Sequence, residues 1–472
     1  MSRFIAVDLG AESGRVVVAE VDRQISLKEV HRFPTSRIEL LGTNYWNYMQ
    51  IFNEILHGLK QCTQVFGSQF DGIGIDTWGV DFALVDKQGM IVGAPVTYRD
   101  KRCDGMLDKA FEILPKSDIY RHTGLQFMQL NTLYQLLSMK LNEATALEAA
   151  DKLLFMPDLF AYLLCGVKAN ELTIASTSQL LDPAKKTWST EVIEAFSLPL
   201  SLFTGPTSAG TVLGPVLESV SRMTGIDPDT PVIATGGHDT ASAVAAVPFD
   251  ANQNAGAYLS CGTWSLLGVE LDQPLISEQS LAWNFTNELG YGATVRYLKN
   301  IIGLWPLQEC RRIWSQDDPV DYADLTEQAV ASDDYQETFD ADDPRLLAPD
   351  NMIDTLVTLI REQGRAVPED RGQIVRCILE SLALKYRQTM DHLGSLLNRE
   401  IPCLHMIGGG IQNELLCRIT ARRCGIPVYA GPIEATAMGN VLIQALGCGI
   451  YSSLQEARAA VRASTEIKVF QP

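Results

Sequence analysis

Residues 231–247 read PVIATGGHDTASAVAAV. The apolar run Val232-Ile233-Ala234 leads into Gly236-Gly237, then His238, Asp239 and Thr240, then small residues suited to a tightly packed helix. Strand, glycine turn and helix start follow from this pattern. The arrangement puts a carboxylate, Asp239, on a rigid frame beside backbone N–H groups. Two roles are open to it on this stretch alone. It caps the helix that follows, or it serves as a general base.

Working outward, the same kind of pattern opens both halves of the chain. Phe4 to Val7 reads as a strand, Asp8 to Arg15 (DLGAESGR) as a polar, glycine-flanked turn, and Val16 to Ala19 as a second strand. Ala257 to Leu259, the turn SCGTWS at Ser260 to Ser265, and Leu266 to Leu271 repeat it. An internal structural duplication is expected, with the boundary in the stretch Pro248 to Gly256. The two expected domains are 1–247 and 248–472. Further strands are expected at Val80 to Val85, Met90 to Val92, Leu404 to Ile407 and Pro427 to Ala430. Helical patterns are expected to dominate Leu107 to Leu164, and a long helix is expected at Ile374 to Leu397. Thr173 to Gln179 reads as a loop or cap, and Tyr98 to Arg102 as a solvated charge run. The acid-rich stretch Asp317 to Arg345 suggests a helix with surface loops. Alternating strands and helices define an α/β protein.

Composition narrows the function. The chain has 472 residues, 46 % hydrophobic and 20 % charged, with a formal charge of −19. Such an acidic chain is repelled by nucleic acid and by anionic membranes, so neither is an expected partner. Ten cysteines with no CxxC pair and no leader-like start fit reduced thiols and a cytoplasmic location. The uncharged run Ala435 to Gln455 holds Asn440, Gln444 and several glycines, and reads as a buried helix plus turn.

Common nucleotide and metal signatures are missing. There is no Walker A loop, no HRD or DFG set, no GxGxxG opening a helix, and no HExxH. The first hairpin tip offers another way to hold phosphates. Gly10 and Gly14 let backbone approach closely, and successive N–H groups form an anion nest. Ser13 adds a hydroxyl, Arg15 a cation, and Asp8 a carboxylate suited to hydrated Mg²⁺. An ordinary solvated hairpin remains the alternative. Gly408-Gly409-Gly410, between a strand and a helix, suits close approach to a ring or ribose, or a tight turn. Trp78 to Asp81, Asn300 and Gln308 stand beside apolar runs and are candidates to line a sugar site, or are simply core and cap residues.

Taken together, VDLGAESGR, GIDTWGVDF, HDTASA, YLSCGTWSL, LKNIIGLW and GGGIQN resemble the FGGY carbohydrate kinases, in order and across both halves. The resemblance implies two actin/hexokinase-like (ribonuclease H-like) domains, each with a central mixed sheet flanked by helices, closing on a cleft. It implies Asp239 as proton acceptor, with sugar contacts at Gly79, His238, Asp239, Thr240 and Asn300. ATP is expected against Ala11, Glu12, Ser13, Gly14, Arg15, Thr263, Gln308 and Gly409, with Mg²⁺ associated with Asp8. The expected ligands are a ketose and ATP, and the expected state is a monomer or weak homodimer. Glu12 departs from the small or uncharged residue that relatives often carry there. A non-catalytic, actin-like ATP-binding module is the reading of a different class.

Overall fold

The computed structural model describes residues 1–250, 255–316 and 319–472. The chain forms two compact units. The first comprises Met1–Pro248, Glu270–Tyr297 and Ala435–Ser464; the second comprises Phe249–Val269, Leu298–Glu434 and Thr465–Pro472. The sequence division at 247/248 stands one residue before the first crossing between units. It does not anticipate the two later returns to the first unit.

The first unit is built on a six-stranded sheet in the order Val212–Pro215, Pro231–Ile233, Gly72–Thr77, Ser2–Leu9, Ser13–Val21, Ile25–Pro34. Ser2–Leu9 pairs antiparallel with Ser13–Val21 and parallel with Gly72–Thr77. Side chains alternate across the hairpin, as a strand repeat of two demands. Ile5, Val7, Leu9, Val16 and Val18 enter one core with Ile51, Ile55, Leu59 and Leu159. Phe4, Ala6, Val17, Ala19 and Val21 enter the opposite core with Val441, Leu442, Ala445 and Val461. Both faces are therefore covered by helices, which explains why these strands read as nearly continuous apolar runs.

One covering helix, Ala435–Gly447, arrives from the far end of the sequence. It lies close enough that a Cβ on Gly74 would stand 2.6 Å from Asn440 Oδ1. Gln444 Nε2 donates to the Ile5 carbonyl at 3.0 Å, and Asn440 Nδ2 donates to Asp76 at 2.6 Å. These bonds are why the segment belongs with the first unit. The same helix packs against Asp239–Ala245, where a Cβ on Gly439 would fall 1.7 Å from the Ser242 carbonyl oxygen. The small residues of the 231–247 stretch thus serve a helix-to-helix approach.

The second unit repeats the topology, as expected of a duplication. Ala257–Cys261 pairs antiparallel with Trp264–Leu271 and parallel with Leu404–Ile407, which pairs parallel with Val428–Ala430. The outer strand Lys468–Phe470 then runs antiparallel to Val428–Ala430, matching Val212–Pro215 against Pro231–Ile233. A 27-residue helix, Arg371–Leu397, backs this unit. Its buried Glu380 accepts hydrogen bonds from Arg376, Arg422 and Arg423, tying it to helix Glu414–Cys424.

Several local expectations change. Met90 to Val92 forms only an isolated bridge, Val85 to Ile91. Leu172–Ala175 is a short helix whose N–H groups Glu171 caps. Tyr98 to Arg102 is not a solvated run. Asp100 is buried, accepts from Asn44 N at 2.8 Å and caps the Lys101–Cys103 turn, and Arg102 donates to Gln135. Residues 251–254 of the expected linker and 317–318 of the acid-rich stretch lie outside the described residues. The acid-rich stretch carries helix Tyr322–Ala331. All ten cysteines are free thiols, nine of them buried. Among the described residues no helix is long and apolar enough to cross a membrane.

Candidate active site

In the first unit the carboxyl ends of the parallel strands bring three acids to one place. Asp8 and Asp76 are register partners on adjacent parallel strands. Asp239 follows the next strand, Pro231–Ile233, through the glycine turn. The turn is fixed from both sides. Thr77 N donates to the Gly237 carbonyl at 2.9 Å, and Gly237 N donates to buried Glu171 at 3.0 Å.

Asp239 is the first residue of helix Asp239–Ala245, and the preceding His238 occupies the cap position, its side chain making no bond to the helix N–H groups. Oδ1 of Asp239 accepts from Thr240 N at 2.5 Å and from Thr240 Oγ1 at 3.1 Å. Burial pushes the Asp239 carboxyl up; neighbouring His238 opposes the rise and Asp8 adds to it. Asp76 is raised further, mainly by burial and then by the charge of Asp8, against its bond from Asn440. Its Oδ1 finds no hydrogen-bond partner. Asp76 went unassigned from the sequence, although IGID at 73–76 repeats the apolar-run-then-Asp pattern of IAVD at 5–8.

Gly79 stands opposite His238: a Cβ there would sit 3.4 Å from His238 Nε2 and 3.4 Å from Thr177 Oγ1. The backbone at this turn is unusual. Val80 takes a φ of +68°, which a β-branched residue seldom adopts. Val80 N donates to Thr177 Oγ1 at 3.1 Å, and its carbonyl accepts from Thr132 Oγ1 at 2.7 Å. Asp81 is a hub beneath the turn. Its Oδ2 accepts from Trp46 Nε1 at 2.7 Å, Trp78 Nε1 at 3.1 Å and Tyr98 N at 3.1 Å; Oδ1 accepts from Gln135 at 3.0 Å. Trp78 and Asp81 are thus buried supports of the turn.

The first hairpin tip runs from Gly10 to Ser13, closed by Gly10 N donating to the Ser13 carbonyl at 3.0 Å. Ala11 is half-buried, and Glu12 and Ser13 are exposed. Arg15 folds back on Asp8, with Nε at 2.9 Å and Nη2 at 2.7 Å from Oδ2. Glu12 turns to Arg37 at 3.2 Å, so its charge is balanced beside the tip. Gly14 is buried, and a Cβ on it would strike Phe33 at 2.6 Å and Leu9 at 2.7 Å. Packing accounts for that glycine.

The second unit holds the remaining candidates. The tip there is the tight turn Gly262-Thr263, with Gly262 N donating to the Trp264 carbonyl at 2.9 Å. Thr263 Oγ1 donates to Gln308 Oε1 at 3.1 Å, joining the tip to helix Trp305–Trp314. Gly303 presses on the turn, where a Cβ would meet the Gly262 carbonyl oxygen at 2.6 Å. Asn300 is half-buried on strand Val295–Ile302. The three glycines at 408–410 divide the work. Gly408 takes φ +88°, and Gly410 packs on Cys261, 2.4 Å from where its Cβ would be. Gly409 alone is exposed, with nothing within 4 Å of a Cβ. Asp8, Gly79, His238, Asp239 and Thr240 therefore share the first unit with Ala11 to Arg15, and Asn300, Thr263, Gln308 and Gly409 share the second.

Duplicated sheets with phosphate-sized hairpin tips, and a carboxylate at a helix start, are the parts of a phosphoryl-transfer site. The family models match accordingly. Residues 3–246 match the N-terminal domain, and residues 257–448 the C-terminal domain, of the FGGY family of carbohydrate kinases. The chain belongs to the FGGY family of carbohydrate kinases. It is 43 % identical over 471 residues to a rhamnulokinase from Bacteroides thetaiotaomicron, covering 99 % of this chain and 96 % of that one. It is 39 % identical over 468 residues to a rhamnulokinase from Halalkalibacterium halodurans, covering 99 % and 98 %. Among solved structures, a ligand-bound xylulose kinase from Lactobacillus acidophilus shares the fold with a TM-score of 0.81 at 16 % identity, over 100 % of this chain and 94 % of that one. Plasmodium falciparum glycerol kinase with ADP does so with a TM-score of 0.80 at 16 % identity, with the same coverage.

Proposed function

We propose that this kinase transfers the γ-phosphoryl group of ATP to the 1-hydroxyl of L-rhamnulose, giving L-rhamnulose 1-phosphate and ADP, as a step of L-rhamnose breakdown in the cytoplasm. The near-full-length identity to rhamnulokinases supports the substrate. The observation that carries the chemistry is the Asp239 carboxyl. It is raised by burial and fixed at a helix start beside His238, whose Nε2 is 3.5 Å from its Oδ1. Asp239 takes the proton of the hydroxyl as that oxygen attacks phosphorus. Gly79, His238, Thr240 and Asn300 hold the ketose. Phosphoryl transfer is mainly positioning and charge stabilisation. Ala11 to Arg15 and Thr263 supply the N–H, hydroxyl and guanidinium donors for that, while Gln308 and Gly409 take the nucleoside side.

Among the described residues, no group of three or more His, Cys, Asp or Glu is arranged to cage a metal ion. The donor set fits a hydrated Mg²⁺ instead, an ion that keeps its waters and takes one or two carboxylates plus phosphates. Asp8 would hold it, and its charge would relieve the repulsion from Asp8 that adds to burial in raising Asp76. When bound, such an ion neutralises phosphate charge. The reading includes a monomer or weak homodimer with no nucleic-acid or membrane partner.

A panel of ketoses with ADP release as readout tests the assignment. L-Rhamnulose should give the highest kcat/KM, ahead of L-fuculose and xylulose. A higher value for another ketose overturns the substrate. Nucleotide binding with no ketose-stimulated ADP release would favour the non-catalytic ATP-binding module.

A further inference from the structure

Behind His238 lies a buried ion pair that the chemistry above does not use. Arg296 is wholly buried and Glu288 nearly so. They sit on the two arms of the hairpin made by Thr286–Leu289 and the start of Val295–Ile302. Arg296 Nε donates to the Leu289 carbonyl at 3.0 Å, which fixes the guanidinium plane. Its Nη2 stands 3.1 Å from His238 Nδ1 and 3.2 Å from Glu288 Oε2. Glu288 Oε2 is itself 3.2 Å from His238 Nδ1.

This triangle restricts the imidazole. A guanidinium only donates, and it stays charged in proteins. The Nη2 group meets the ring nitrogen in a hydrogen bond and Glu288 Oε2 at ion-pair distance. We propose that Arg296, neutralised by Glu288, donates to Nδ1 of His238 and so locks the ring as the neutral Nε2–H tautomer. Arg296 and Glu288 are then positioning residues. Which nitrogen carries the proton is set by what the other one accepts or donates.

The consequence concerns the face turned to substrate. Nε2 is 3.5 Å from Asp239 Oδ1, too long for a strong bond, and it faces Gly79, where an added Cβ would stand 3.4 Å away. His238 thus offers that space an N–H donor and no acceptor. Resting on the ketose reading above, the N–H recognises a hydroxyl or carbonyl oxygen of the sugar beside the base. A ketose lacking that oxygen leaves a buried donor unmade, which is a strong ground for rejection.

The test uses the full chain labelled with ¹⁵N-histidine. Six histidines are present, and His238→Gln identifies the signals of interest. A pyridine-type Nδ1 and a pyrrole-type Nε2 are expected for His238. A protonated Nδ1, alone or in an imidazolium, overturns the proposal. The variant Arg296→Met with Glu288→Leu removes both charges together, since an apolar pair can replace a buried ion pair without unfolding. A denaturation curve verifies that it folds. In it, His238 should become a mixture of tautomers. KM for the ketose should rise about tenfold, the loss expected of one well-made hydrogen bond, with KM for ATP within about twofold. A retained single tautomer, or an unchanged ketose KM, overturns the positioning role. Should the protein phosphorylate no ketose, the ligand-free spectra still decide the tautomer, so the two readings fail separately.

Discussion

Asp8 and Asp76 are paired in register at the ends of two parallel strands, one neutralised by Arg15 and the other held by Asn440 alone. Burying a second carboxylate there works against folding. Asp76→Asn keeps the shape and an acceptor for Asn440 while removing the charge. The variant should be more stable than the parent at neutral pH, by about 1–3 kcal/mol. Its turnover should fall if the charge helps hold the hydrated cation. Urea midpoints and kcat from one preparation measure both. A variant less stable than the parent would show the carboxylate to be structurally required.

Asp239→Asn separates the base from the cap. Asn serves a helix start about as well as Asp, so the melting temperature should stay close to the parent's. Turnover should drop roughly 10²–10⁴-fold, the usual contribution of a general base. The dissociation constants of ketose and ATP, by calorimetry, should change little. A folded Asp239→Asn protein with near-parental kcat would remove Asp239 from the role of base.

Gly409 and Gly410 should respond in opposite ways. A Cβ at 409 meets open space, whereas one at 410 runs into Cys261. Gly409→Val should keep the parental stability and weaken ATP more than ketose. Gly410→Ala should lose about 1–3 kcal/mol through overpacking. Separate ligand titrations and urea curves compare them. Equal loss of both ligands in Gly409→Val would remove that residue from the nucleotide site.

Asp81 gives the fold a pH dependence of known sign. Burial outweighs its hydrogen bonds from Trp46 and Gln135 and pushes the carboxyl up to about 6, against 3.8 for a free one. Below pH 4 both folded and unfolded forms hold the proton. Between about 4 and 6 only the folded form holds it, so rising pH favours unfolding. The stability lost across that window is about 3 kcal/mol, constant above it. Urea midpoints from pH 4 to 7 should fall, and Asp81→Asn should make the fall shallower, the remainder coming from the other buried acids Asp76, Asp158, Glu171 and Asp239. A parallel slope in the variant would assign the dependence to other groups.

Much of this was legible because it is local. The strand and helix of PVIATGGHDTASAVAAV appear at Pro231–Ile233 and Asp239–Ala245, and both opening hairpins form where the small-residue tips stand. The second unit's glycines could be located but not sorted. Only the position of Cys261 tells that Gly410 is packed and Gly409 open. Arg296 and Glu288 carry no local signal, since their meaning depends on His238, 58 residues from Arg296. Gly74 was unreadable for a like reason: the atoms it makes room for belong to Asn440 and Gln444.

The contribution of helix Ala435–Gly447 to the first sheet bears on how the protein is made. Asn440 reaches Asp76 across 364 residues, and Gln444 reaches Ile5 across 439. A ribosome adding ~5–20 residues per second needs roughly 20 to 90 s to emit that helix after the first hairpin emerges. Throughout that interval the side of the hairpin bearing Phe4, Ala6, Val17 and Ala19 lacks its cover. The nascent chain therefore presents an uncovered apolar strip for most of its synthesis, which makes it a natural client for chaperones. It also means that the first unit, although it begins the sequence, closes only when Ala435–Ser464 has been made, after nearly all of the second.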